Sequence, residues 1–173
     1  AEGYAAEQSM QAGETQRLRR ALIRALLRPE AYPHPTGPVQ LRETHLSWVL
    51  LAGDFAYKVK KPVSLGFVDF STRELRATAC ADEVRLNRRL CPSVYLDVVD
   101  LVARGGTIAV GEPGRAIEPA VRMRRLPDSG MLPALLARGM VDERLVARIA
   151  RILARFHAEA ATGDGVDAWG SVA

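Results

Sequence analysis

The chain has 173 residues, enough for one domain with a sizeable core or for one lobe plus an appendage. Its composition, 48% hydrophobic and 25% charged, is that of an ordinary globular protein and excludes a disordered or collagen-like chain. The net charge of +4 permits contact with phosphates, but the cations are spread along the chain, so a nucleic-acid binder is not the expectation.

Residues 1–13 are small and polar and are expected to form a disordered tail. The opening AEGYAAEQSMQAGETQ lacks a basic-then-apolar leader pattern. Between Glu14 and Leu27, the residues Leu18, Leu22, Ile23, Leu26 and Leu27 follow helical spacing, and Pro29 stops the run. PEAYPHPTGP, with four prolines, makes a linker or wrapped loop that carries the N-terminal segment (14–40) to its end. Leu46–Leu51 and Phe55–Lys60 read as strands joined at Gly53-Asp54. A helix start follows: Ser71 as cap, Glu74 as its capping-box partner, and Phe70 stapled onto Leu75. That helix runs to about Leu90, ahead of Pro92. Val94–Val102 and Thr107–Val110 form a hairpin around Arg104-Gly105-Gly106, and Ile117–Met123 is a fifth strand. Two helices, about Gly130–Arg138 and Asp142–Ala160, precede a flexible tail (163–173). Hairpin-linked strands with one packed helix predict an α+β lobe built on a five-stranded antiparallel sheet. Cys80 and Cys91 form no C-x-x-C pair and no Cys/His cluster, so neither a disulfide framework nor a zinc site is suggested. No apolar run approaches a membrane span, and free thiols suit a reducing compartment, so a cytoplasmic location is expected.

The lysines single out one stretch. Of 24 cationic residues only three are Lys, and all lie in GDFAYKVKKPV: Lys58, Lys60 and Lys61. Alternation along the strand puts Lys58 and Lys60 on one face with Ala56, and Phe55, Tyr57 and Val59 on the other. One reading is a strand edge blunted by solvated lysines. The other is a narrow site beside a phosphate, where a compact ammonium on a thin stem fits better than a guanidinium. The helix adds a clue. Leu75, Ala79, Leu86 and Leu90 define an apolar stripe with Glu83 in its middle, and a carboxylate facing a core needs a cation. The alternative is a rotated helix with Glu83 turned out beside Asp82.

A strand lysine paired with a glutamate of the following helix is the arrangement that holds the phosphate lysine in protein-kinase folds. The kinase strand motif is V-A-I-K, and "FAYK" (Phe55, Ala56, Tyr57, Lys58) matches it position by position. Lys58 is the first choice for the phosphate lysine; Lys60, read from "YKVK", is the alternate. Three segments extend the likeness. ETHLSWVLLAGDFAYKVKKPVSLGFVDFSTRELRATACADEVRLNRRLCPSVYLDVV, EPAVRMRRLP and LVARIARILARFHAEAA together resemble the bacterial aminoglycoside phosphotransferase-like family, in the branch frequently fused to a C-terminal P-loop ATPase domain. The resemblance implies a protein-kinase-like ATP-binding lobe over residues 41–126 and the first helices of a truncated helical lobe over 127–162. It implies ATP at Lys58, Glu83 and Ala56, with Lys60 as the alternate lysine. It places a hinge at Arg122–Arg125, where Met123 meets the adenine. It further implies an ATP-dependent small-molecule phosphotransferase with an unidentified acceptor, and Mg²⁺ whose ligands are expected outside this chain.

Two departures limit that implication. The turn at Glu43–Ser47 has no glycine to cover a phosphate; Thr44, His45 and Ser47 either offer donors or form a plain turn. The catalytic Asp and metal-binding Asn of such enzymes are not expected in this chain, whose single asparagine is Asn87 and whose Asp164 and Asp167 lie in a Gly/Ala-rich end. The second function class is therefore a non-enzymatic kinase-fold scaffold or regulatory module beside an ATPase domain. His157 is expected in packing or at a helix-end dipole, His34 in a loop, Trp48 in the core, and Arg85, Arg88 and Arg89 on a solvated helix face.

Overall fold

The computed structural model describes residues 17–167, which divide into two compact units at Arg125/Leu126. The expected N-terminal tail (1–13) and residues 168–173 of the expected C-terminal tail lie outside the described residues.

The first unit is α+β. Helix α1 (17–26) and a turn of 3-10 helix (Pro29–Ala31) lead to β1 (Gln40–Glu43), β2 (Ser47–Ala52) and β3 (Phe55–Lys60). A small hairpin, β4 (Ser64–Leu65) with β5 (Val68–Asp69), connects β3 to helix α2 (Arg73–Asn87). β6 (Tyr95–Arg104), β7 (Thr107–Val110) and β8 (Arg115–Arg124) complete it. Six strands form one antiparallel sheet in the order β1-β2-β3-β8-β6-β7.

The sheet has one strand more than the five expected. β1 was missed because all four of its residues are exposed at a sheet edge, where no apolar alternation is needed. The expected turns are present. Gly53 turns β2 into β3 at a φ of +56°, and Gly105-Gly106 turns β6 into β7 with φ of +55° and +80°, a region that costs glycine little.

The two faces of the sheet differ. On one, Trp48, Leu50, Ala52, Tyr57, Val59, Leu101 and Ala120 form the main core with Leu26 of α1 and with Ala31 and Tyr32 of the proline-rich segment. That segment is a covering layer. His34 Nε2 lies 2.8 Å from the Tyr57 hydroxyl, and its ring stacks on Tyr57 at 6.0 Å and 9°. His34, expected in a loop, thus ties the loop to β3. On the other face, α2 lies against β8 and β6 and buries Cys80 and Val84 on Val121, flanked by Tyr95 and Met123.

The rotation of α2 corrects the expected stripe. Leu75, Leu86 and Leu90 are exposed, whereas Arg76, Cys80 and Val84 are buried. The leucine count does not set the rotation. The sheet beneath carries Lys58, Lys60 and Glu118, and α2 turns the side chains that can pair with them, Glu83 and Arg76, toward it. The helix start is also one residue later than expected. Thr72, not Ser71, caps α2, its hydroxyl accepting from the Leu75 amide at 3.2 Å. Ser71 is instead held by its own amide donating to Asp69 Oδ1 at 2.9 Å. Thr72→Ala should therefore cost about 1 kcal/mol in urea unfolding. Ser71→Ala should cost less than half of that, and the reverse order would return the cap to Ser71.

The second unit holds a 3-10 turn (Asp128–Gly130), α3 (Leu132–Ala137), α4 (Glu143–Ala158) and a short helix α5 (Asp164–Asp167). Asp142 caps α4, accepting from the Leu145 amide at 2.8 Å. The stripe of Leu145, Ile149, Ile152 and Phe156 is present on α4, but none of its residues is buried. Phe156 and His157 place their rings 6.0 Å apart near the end of that helix. Among the described residues no helix is long and apolar enough to cross a membrane.

Candidate functional site

The site sits where β3 faces α2. β3 is an interior strand, with β2 on one side and β8 on the other, so its lysines do not blunt an edge. Strand alternation sends Lys58 and Lys60 to the α2 side, as expected, and α2 brings Glu83 to both. Lys58 Nζ donates to Glu83 Oε1 at 2.7 Å, and Lys60 Nζ donates to Glu83 Oε2 at 2.7 Å. The side chains of Lys58, Lys60 and Glu83 are 29%, 7% and 12% exposed. Lys60 also lies 4.9 Å from the centre of the Phe70 ring, a cation–π contact that suits its burial.

Charge and burial pull Glu83 in opposite directions. Burial raises the carboxyl, but the hydrogen bonds and charges of Lys58 and Lys60 outweigh it and hold the group below its ordinary value. Two amines on one carboxylate leave the cluster one positive charge in excess. Lys58 is the more exposed of the two lysine side chains, so that charge lies toward its side of the cluster. Cys80 is fully buried beside the cluster. Burial pushes its thiol up to about 11, so it is a packing residue and not a nucleophile.

The other residues named from sequence gather on the same face. Ala56 stands opposite Met123 across the β3–β8 ladder, and Lys58 stands opposite Val121. Cross-strand partners share a face, so Ala56, Lys58, Val121 and Met123 form one surface of small and apolar side chains ending in an amine. Met123 lies inside β8, paired with Ala56 on one side and Tyr95 on the other. Only Arg125 of the expected hinge lies beyond the strand, its amide donating to the Asp54 carbonyl at 2.8 Å.

Lys61 points the other way. It pairs with Glu43 at 2.6 Å and lies 5.6 Å from the Trp48 ring centre. Thr44 and Ser47 are consumed by their own turn: the Thr44 hydroxyl accepts from the Ser47 amide at 3.0 Å, and the Thr44 amide donates to the Ser47 carbonyl at 2.9 Å. This is the plain-turn arrangement. Arg85 pairs with Asp82 on the helix surface, and Arg88 donates to the Tyr95 carbonyl at 2.9 Å. Among the described residues no group of three or more His, Cys, Asp or Glu is placed to hold a metal ion.

Sequence reasoning missed a second buried pair. Arg76 grips Glu118 with two parallel bonds, Nε to Oε1 at 2.5 Å and Nη2 to Oε2 at 2.7 Å, and its Nη1 donates to the carbonyls of Phe70 and Ser71. Nothing local announces a partner 42 positions away. A second fork, Arg122 on Asp97, ties β8 to β6.

No protein-family model matches the chain. Curated proteins of Mycobacterium tuberculosis and Mycobacterium bovis, each named only as an uncharacterized protein, are 40% identical to it over 144 residues. That match takes in 83% of this chain but 27% of theirs, so the chain spans about a quarter of the length of these relatives. Among solved structures, WbdD is 17% identical over 64% of this chain and 23% of its own, at a TM-score of 0.29, too low to assign a shared fold.

Proposed function

We propose that residues 41–126 are the ATP-binding lobe of a kinase-like small-molecule phosphotransferase. The observation that carries this reading is the pairing of Lys58, on an interior strand, with Glu83, on the helix that follows it. A lysine held this way presents a fixed ammonium to a phosphate, and a glutamate that orients it spares the ordering cost at binding. Lys60 adds a feature of its own. It keeps Glu83 compensated when a phosphate draws the Lys58 amine away, so recruitment of Lys58 need not strand a buried carboxylate. Ala56 and Met123, adjacent across the ladder, supply a small apolar surface beside the amine, which fits a flat base. ATP would supply the transferable phosphoryl group. The described residues offer no cluster for Mg²⁺, so a metal would have to be held largely by the nucleotide or from elsewhere.

A second reading, a non-enzymatic scaffold partnering an ATPase domain, is favoured by the same cluster seen differently: both amines are already committed to Glu83. Thermal unfolding with and without Mg-ATP separates the two. At a hundredfold excess over the dissociation constant, binding adds about 2.7 kcal/mol, a shift of several degrees. The shift should vanish in Lys58→Ala and Glu83→Ala, each compared with its own nucleotide-free melt. No shift in the unsubstituted chain selects the scaffold. A shift unchanged in both variants would falsify the placement of nucleotide at this pair.

A further inference from the structure

We infer that the first unit carries a second ligand site, for an organic anion with an aromatic or acyl body, in the cavity between α1 and the sheet. The cavity has a volume of about 1190 Å³ and is bounded by α1, the end of β3, the start of α2, the β6–β7 turn and the start of β8. A volume of that order matches or exceeds known small-molecule pockets.

Its walls are mostly apolar, with Leu22, Trp48, Ile108 and Ile117 among them, and its charge is one-sided. Among the described residues Glu118 is the only acid on the lining, and Arg76 neutralises it. Lys60 also reaches the wall, but Glu83 holds it. That leaves Arg19, Arg24, Arg28 and Arg115, none of them paired with a carboxylate among the described residues. Arginines that are scattered in sequence thus meet around one opening, Arg19 and Arg24 from α1, Arg28 from the segment just after it and Arg115 from β8.

Arg19 adds an independent sign. Its Nη2 donates to the Pro62 carbonyl at 2.9 Å, while its buried Nε has no partner among the described residues. A buried donor left over beside a cavity is costly unless something accepts from it. Four guanidiniums without a carboxylate partner among the described residues, over an apolar floor, complement a ligand with an anionic head and an apolar body. Phosphate and carboxylate heads share that chemistry.

The test uses the full chain and two fluorescent probes with one aromatic body, anilinonaphthalene sulfonate and its uncharged counterpart N-phenyl-naphthylamine. The sulfonate should bind at one site per chain and at least ten times more tightly than the neutral probe. Arg24→Gln/Arg115→Gln should weaken the sulfonate at least tenfold and leave the neutral probe unchanged. Both side chains are exposed, so an unaltered melting temperature verifies that the fold is kept. Ala25→Trp, which fills the cavity from α1, should remove both probes; Arg28→Gln alone gives a milder charge variant should the double one unfold. Displacement of the sulfonate by naphthyl phosphate or by naphthoate then identifies the head. Equal binding of the two probes, indifference to the arginine variants, or displacement by neither anion would overturn the site.

Discussion

Replacing Glu83 with alanine should destabilise the first unit by about 3–5 kcal/mol, because it strands two amines, one of them almost fully buried, without an anion. At about 2–4 °C per kcal/mol for a chain of this size, the melting temperature should fall by roughly 10 °C. The loss should be far smaller when the cluster is replaced as a whole by apolar side chains, as in Lys58→Met/Lys60→Met/Glu83→Leu. An apolar set avoids the desolvation that the ion cluster must offset. The acid limb gives a second readout. Since Glu83 titrates below its ordinary value when folded, its contribution is complete above the unfolded value of about 4.3. It is lost as pH falls through the lower folded value. Urea unfolding followed from neutral pH into that acid range should show a shallower loss in the Glu83→Ala chain than in the parent. A cost below about 1 kcal/mol at pH 7 would place the cluster with ordinary surface ion pairs.

The second large effect belongs to Arg76. Arg76→Met should cost about 3–5 kcal/mol, since it leaves Glu118 unpaired where its side chain is only 13% exposed and takes the donor from two carbonyls before α2. Adding Glu118→Leu should recover most of the loss. The double-mutant cycle isolates the coupling between the two side chains. If the second substitution recovers nothing, the carbonyl contacts, and not the carboxylate, are what Arg76 is there to satisfy.

What the sequence disclosed follows from the range of each interaction. The β2–β3 and β6–β7 turns were legible because glycines at positive φ leave a local mark. The Lys58–Glu83 contact was legible from a charge argument, a carboxylate on a helix that packs on a sheet requiring a cation nearby. Its doubling was not, because strand alternation fixes the face of Lys58 and Lys60 but not the reach of one glutamate to both. The rotation of α2 was misjudged because leucine spacing was weighed without the sheet beneath it. The Arg76–Glu118 pair lies on the same inward face as Glu83, and neither of its members has a signal near itself. β1 was invisible for the opposite reason: an exposed edge strand imposes no pattern. The packing of Leu26, Ala31 and Tyr32 under the sheet depends on a return of the chain that prolines suggest but do not aim.

The place of β8 constrains the order in which this unit can be completed. It is the last of the described strands to be made and yet it lies between β3 and β6, pairing Lys58 with Val121 across more than a third of the chain. Until residues 115–124 leave the ribosome, the meander of β1–β3 and the β6–β7 hairpin each carry an open inner border, and loop-closure entropy delays their union. Such borders invite intermolecular pairing. A nascent chain therefore holds the two halves of this sheet unjoined from the completion of β7 until β8 follows it.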